Sequence, residues 1–255
     1  MKKTVLSAAL FAAGVFSQQA QADTLLGLYI GGDQWATETT GALATSSDLQ
    51  TFQFEDQDFS SFYAALEHPI PLVPNLKIKY TELELEAMAD LNQSFEFGDN
   101  IYKVDTRVTG DSDLSHIDYV LYYEIFDNDL ISIDLGLSAK QFDGYVKVKG
   151  DEQSLGFSEE SIDISGVVPM AYGAVQVGLP FTGLSVFAEG SMLAIGDSSI
   201  QDYQVGVAWE FVDNMAVDVA LRAGYRALSL ELDDVDDIYT DLETKGLFAG
   251  LQVHF

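Results

Sequence analysis

The chain has 255 residues with 41 acidic against 12 basic side chains, and a formal net charge of −29 excludes nucleic acid as a partner because phosphates would be repelled. A hydrophobic content of 47% and an aromatic content of 12% exclude a solvated, disordered chain. There is no cysteine, so disulfides are excluded and a sheet or a core must hold the fold.

At the N-terminus, Lys2 and Lys3 precede an apolar stretch from Val5 to Phe16 and then SQQAQA, which ends at Ala22. A basic start, an apolar centre and a small-residue exit predict a secretory signal peptide over 1–22, cleaved between Ala22 and Asp23. The apolar part is too short to span a bilayer as a helix, so residues 23–255 are expected to carry the whole fold.

Beyond the leader, period-two alternation between turn signals predicts ten strands, near 24–38, 59–69, 76–91, 113–126, 131–148, 161–178, 184–196, 201–212, 215–232 and 243–255. Eight or twelve are the alternative even counts. Short connections fall at 70–75, 126–129, 179–183 and 212–214; longer polar ones fall at 39–58, 92–112, 149–160, 196–200 and 233–242. The tract from Ile164 to Ala188 has no charged residue, but its glycines and prolines, GLPFTGL included, predict two strands and a tight turn rather than a membrane helix.

Which face of each strand is greasy decides between a sandwich and a barrel. In 131–139 Ile131, Ile133, Leu135, Leu137 and Ala139 oppose Ser132, Asp134, Gly136 and Ser138. In 203–211 Tyr203, Val205, Val207, Trp209 and Phe211 oppose Gln204, Gly206, Ala208 and Glu210, and Met215 to Tyr225 alternates in the same way. Such apolar faces have the length that a tilted strand needs to cross hydrocarbon. Tyr203, Trp209, Phe211, Tyr225 and Phe255 sit at their ends, where a membrane interface selects aromatics. The fold expected is therefore all-β, a transmembrane antiparallel up-and-down β-barrel with its short turns at the periplasmic edge.

The last strand, KGLFAGLQVHF, puts Leu247, Ala249, Leu251, Val253 and Phe255 toward lipid and is expected to close the sheet against LLGLYIGG, residues 25–32. An alternating final strand that ends in Phe resembles the closing signal of single-chain outer-membrane β-barrels of Gram-negative bacteria, which in those proteins is read by the barrel-assembly machinery. With the leader and the GLYIGGDQW opening strand, the chain resembles a family of small outer-membrane proteins that brings no activity with it. The resemblance implies a location in the cell outer membrane, and outer-membrane lipid, lipopolysaccharide and the assembly machinery as partners.

Glu67, Lys77, Lys79, Asp134, Lys140, Glu189, Glu210, Asp218, Arg222 and Arg226 fall on the inner face, where unpaired charges would be costly, so a lumen-facing network of ion pairs is expected. A ten-strand barrel is near the size that side chains can fill, which predicts a plugged or very narrow lumen. His116 and Asp118 share a strand face beside Ser115, but Ser115 points the other way, and no omptin-type protease motif surrounds them. His68 and His254 read as strand-end residues. There is no G-x-S-x-G, H-E-x-x-H or phosphate loop, and no catalytic site or cofactor is expected.

Asp233, Asp234, Asp236 and Asp237, with Asp241 and Glu243, concentrate carboxylates in one long connection. Divalent cations could join them to lipopolysaccharide phosphates, although no calcium-loop spacing is present and a solvated acidic loop is the simpler reading. The function expected is a structural or surface-interaction role. The alternatives are a narrow channel or transporter for small or apolar solutes and, behind it, an outer-membrane hydrolase.

Overall fold

A computed structural model of the chain describes residues 26–128, 130–150, 159–214, 217–235 and 238–255. The segment expected to be a signal peptide, Met215, Asp236 and Asp237 lie outside them. The described residues form β1 (Gly27–Ala44), β2 (Gln50–Phe54), β3 (Gln57–Glu67), β4 (Asn75–Thr81), β5 (Glu84–Asp90), β6 (Phe95–Phe97), β7 (Asn100–Tyr102) and β8 (Arg107–Asp113). They continue with β9 (His116–Asp127), β10 (Ile131–Gly150), β11 (Glu159–Leu179), β12 (Leu184–Ile195), β13 (Ser198–Val212), β14 (Asp218–Val235) and β15 (Ile238–His254).

Ten of these strands close a ring in which each is antiparallel to its neighbours: β1, β3, β4, β9, β10, β11, β12, β13, β14, β15 and back to β1. The closing ladder runs from Tyr29↔His254 to Ala44↔Tyr239. Closure satisfies the backbone of every stave and leaves no sheet edge at this level, the condition that hydrocarbon sets. β2, β5 and β8 prolong β3, β4 and β9 past short breaks and carry the wall upward, in the order β1, β2, β5, β8, β10. The breaks are bridged by backbone bonds, Glu82 N to Ser60 O at 3.0 Å and Leu114 N to Leu83 O at 2.8 Å. The hairpin of β6 and β7 lays Phe95, Phe97 and Tyr102 on Phe52, Val108 and Val148 and fills the upper end.

The polarity of both faces reverses part-way up the wall. On the β4–β5 line the outward residues run Leu76, Ile78, Tyr80 and then Glu82, Glu84, Glu86, while the inward ones run Lys77, Lys79, Thr81 and then Leu83, Leu85. On β10 the outward face passes from Ala139 to Gln141 and the inward face from Lys140 to Phe142. On β13 and β14 the inward face passes from Asp202 to Ile200 and from Arg226 to Leu228. Below the switch the barrel is apolar outside and ionic inside; above it, the wall is a water-facing sheet around a hydrocarbon core.

That reversal corrects the expected long loops. Residues 39–44 and 50–54 are strand, 92–112 contains β6, β7 and most of β8, and 233–242 is crossed by β14 and β15, which still pair at Val235↔Ile238. The connection at 196–200 is a tight turn at Gly196 and Asp197, with Gly196 at φ 61°. Glu96 and Asp241 alternate with the inward Phe95, Phe97 and Leu242 and so decorate strands, whereas Asp233 and Asp234 stand side by side, both exposed, at the register shift between Leu232 and Val235. β12 turns back at Ile195, so that above Ala171 the stretch of β11 from Glu159 to Met170 pairs only with β10 among the described residues.

Candidate functional site

The lumen is filled in layers. At mid-height Lys140 Nζ, fully buried, donates to Asp118 at 3.0 Å and to Asp202 at 2.9 Å. Arg226 grips the same Asp202 with two bonds, Nε to Oδ1 at 3.0 Å and Nη2 to Oδ2 at 2.8 Å, reaches Thr81 Oγ1 at 3.2 Å, and lies over the Trp35 ring at 4.6 Å. A bidentate guanidinium and a bridging ammonium around two carboxylates leave little net charge to desolvate. His116 Nδ1 donates to the Leu114 carbonyl at 2.9 Å, since a carbonyl can only accept, and its Nε2 faces Asp118 and Asp202 at 3.8 and 3.9 Å.

Just below, Lys77 Nζ donates to both oxygens of Glu189 at 2.7 and 2.8 Å. Arg222 donates to the Tyr63 hydroxyl at 2.6 Å, stacks over Phe187 at 4.3 Å and stands 3.9 Å from Asp33. Lys79 is buried between these groups and lines a void of about 30 Å³ with Asp118, Glu189, Asp202 and Gln204, room for a water. Above the ions, Trp35, Phe59, Leu83, Phe142, Met170, Leu228 and Phe248 form a continuous hydrocarbon plug. A solute passing through would have to break the ion layer and then part this plug.

At the short-turn end the lumen opens into a vestibule of about 600 Å³. Glu67, Asp134 and Glu210 line it, and Glu67 accepts from the Tyr122 hydroxyl at 2.7 Å. Asp218 stands 3.3 Å from His254, whose ring stacks on Tyr29 at 4.1 Å. Two β-bulges lie at this rim: β9 carries an extra residue at Ile125 against β10, and β13 an extra residue at Phe211 against β14. The first flips the parity of β9, so that Glu124 and Asp127 both face the cavity.

On the outside, Tyr203, Trp209, Phe211, Tyr225 and Phe255 all point away from the lumen and are exposed. Asp233 and Asp234 lie just before the end of β14, where Asp233 N donates to Ser198 Oγ at 3.0 Å. His68 caps the turn before β4, its N–H donating to Asn75 Oδ1 at 3.1 Å.

His116, Asp118 and Asp202 present ligand atoms within 4.8 Å of one another, but Lys140 and Arg226 already neutralise both carboxylates, so a divalent ion there would add buried positive charge. These residues do not fit a metal. Ser115 Oγ accepts from Leu83 N at 3.0 Å, on the far side of the strand from His116, so the two make no nucleophile–base pair. Sequence reasoning missed Asp118 and Asp202 as the acids of the ion layer. One more step of the alternation that contains Gln204 and Glu210 reaches Asp202, and His116 had drawn Asp118 into a different grouping.

No protein-family model and no curated protein matches the sequence. The fold is similar to that of solved barrels at low identity. Neisserial surface protein A is 15% identical with a TM-score of 0.33, covering 89% of this chain and 97% of its own. Ail of Yersinia pestis is 10% identical with a TM-score of 0.34, covering 90% and 99%. The outer-membrane protease OmpT of Escherichia coli is 9% identical with a TM-score of 0.43, covering 94% and 100%. The hydrogen-bonded ring of this chain defines it as a β-barrel independently of these likenesses.

Proposed function

We propose that the protein is an integral β-barrel of the bacterial outer membrane with a closed lumen, serving as a structural or surface-interaction protein through the acidic wall it raises beyond the lipid. The observation that carries this reading is the reversal of both strand faces. An outward apolar belt demands hydrocarbon around it, and an outward acidic sheet above that belt demands water. The short turns lie at the periplasmic end, and the β6–β7 hairpin lies at the cell surface.

Fractionation tests the location: the chain should sediment with outer membranes and need detergent to dissolve, and recovery in the soluble periplasm would overturn the proposal. The open vestibule favours one second reading, a narrow channel that conducts when the plug parts. Planar-bilayer recording separates the two, because a closed lumen gives a flat trace and reproducible unit steps would establish the channel.

A further inference from the structure

We infer that the open flank of β11 above the lipid is a docking edge for an extended segment of another polypeptide, apolar on one face and basic on the other. Its backbone groups define it. Gly178 N donates to Leu130 O across the β10–β11 ladder, and the register runs without a shift from Ile131↔Val177 to Lys149↔Glu159. Even-numbered residues of β11 therefore turn their N–H and C=O to β10, and odd-numbered ones turn theirs to the other flank. β12 takes up that flank from Leu179 to Ala171, and above Ala171 no strand does among the described residues. Ser161, Asp163, Ser165 and Val167 thus present both groups in one row, and Pro169 a C=O alone. Such a row is a template for one more strand.

This edge lacks the devices that blunt a resting one. Pro169 guards only its base, no bulge twists it, and Asp163 is the one charge from Ser161 to Val167. The wall also leaves space beside it. β12 and β13 turn back at Gly196 and Asp197, and β14 pairs with β13 no higher than Glu231, so no strand stands between β11 and β14 above that turn, among the described residues. Behind the gap, Ile164 and Val168 on β11, Leu193 on β12 and Leu232 on β14 pack on the hydrocarbon plug and stay part-exposed. Gly166, inward between Ile164 and Val168, has nothing within 4 Å of the place its Cβ would occupy. That notch accepts an apolar side chain from an added strand.

Charge sets the other face of the partner. Lys149 holds Glu159 at 3.5 Å, but Asp163 on one lip and Asp197 and Asp233 on the other are exposed, and basic residues in alternation answer them. A second copy does not fit. Antiparallel self-pairing of β11 needs a two-fold axis through the sheet, which inverts one barrel in the membrane, and upright copies would set two chains of formal net charge −29 side by side.

The edge deepens the surface-interaction reading and rests on it. A short capped peptide of alternating valine and lysine, added to the full chain in nonionic detergent, tests the edge against the same peptide N-methylated at every residue, which keeps the charge and loses the donors. Saturable binding is expected, with amide exchange slowed at Ser161, Asp163, Ser165 and Val167 and the methylated peptide weaker by about tenfold or more. Ser165→Pro removes a donor from the open row and should weaken binding by about tenfold, and Glu86→Gln on β5 should leave it unchanged. Should Ser165→Pro not refold by heat-shifted gel migration, the two peptides on the unaltered chain carry the test. Equal binding of the two peptides, binding without protection of those four amides, or no binding would each overturn the proposal. The location is decided separately by fractionation, and none of these outcomes moves it.

Discussion

Leu135 and Leu83 sit on neighbouring parts of one wall and obey opposite rules: Leu135 points outward and is 53% exposed, whereas Leu83 points inward and is fully buried. Each is where its surroundings make hydrocarbon the better neighbour, lipid for one and the protein's own interior for the other. The same inversion holds for the charges, Lys140 within the lumen and Glu84, Glu86 and Asp90 on the outer surface of the extension. A side chain's direction in this molecule is therefore set by height along the strand. Alternation alone says only that two faces exist.

Breaking the ion layer should have the largest effect. Lys140→Met leaves Asp118 and Asp202 short of their shared ammonium and should destabilise the barrel by about 4 kcal/mol, measured by urea unfolding in lipid vesicles. Next comes the belt. Leu135→Arg should cost about 3 kcal/mol because the guanidinium must enter lipid, and Glu86→Arg on the upper wall should stay within about 0.5 kcal/mol. Equal costs at the two sites would erase the distinction between the halves.

A smaller change sharpens it. Val108→Ala opens a hole in the upper core and should cost about 2 kcal/mol, and amide exchange should speed up along β2, β5 and β8 while the closed ring stays protected. The smallest effect is electrostatic. Arg107 pairs with Asp90 at 2.7 Å on the outer wall, and its hydrogen bond holds the Asp90 carboxyl below the usual carboxylate range. A depressed folded value means stability present above the unfolded carboxylate range and lost as pH falls through the folded one. Arg107→Gln should therefore raise exchange in β5 at neutral pH, and the difference should fade as pH falls below the usual carboxylate range.

The lower halves were legible because lipid and lumen impose the simplest alternation, as in 203–211 and 131–139. The upper parts in 39–58 and 92–112 were not, because Gln50, Gln53, Thr109 and Asp111 read as polar connections when the inward Phe52 and Val108 are taken for incidental residues. The bulge at Ile125 hides Asp127, since one extra residue flips every later side chain to the other face. That the inner charges include both signs was readable, but which ones meet was not. Lys77 and Glu189 are 112 residues apart and touch only because strand tilt and register bring β4 across from β12.

The one-sided ladder of β11 from Glu159 to Met170 makes the tall half mechanically unequal. Lower down, each stave is stitched along both flanks into a hoop, and to pull one out two seams must tear together. Above Ala171 the outermost stave is sewn along a single flank among the described residues, so it peels like the end of a zip, one link at a time. Pro169, which has no N–H to offer, sits near the base of that open flank. Tugging or nicking of the surface wall begins there, and the hoop beneath is the last part to give.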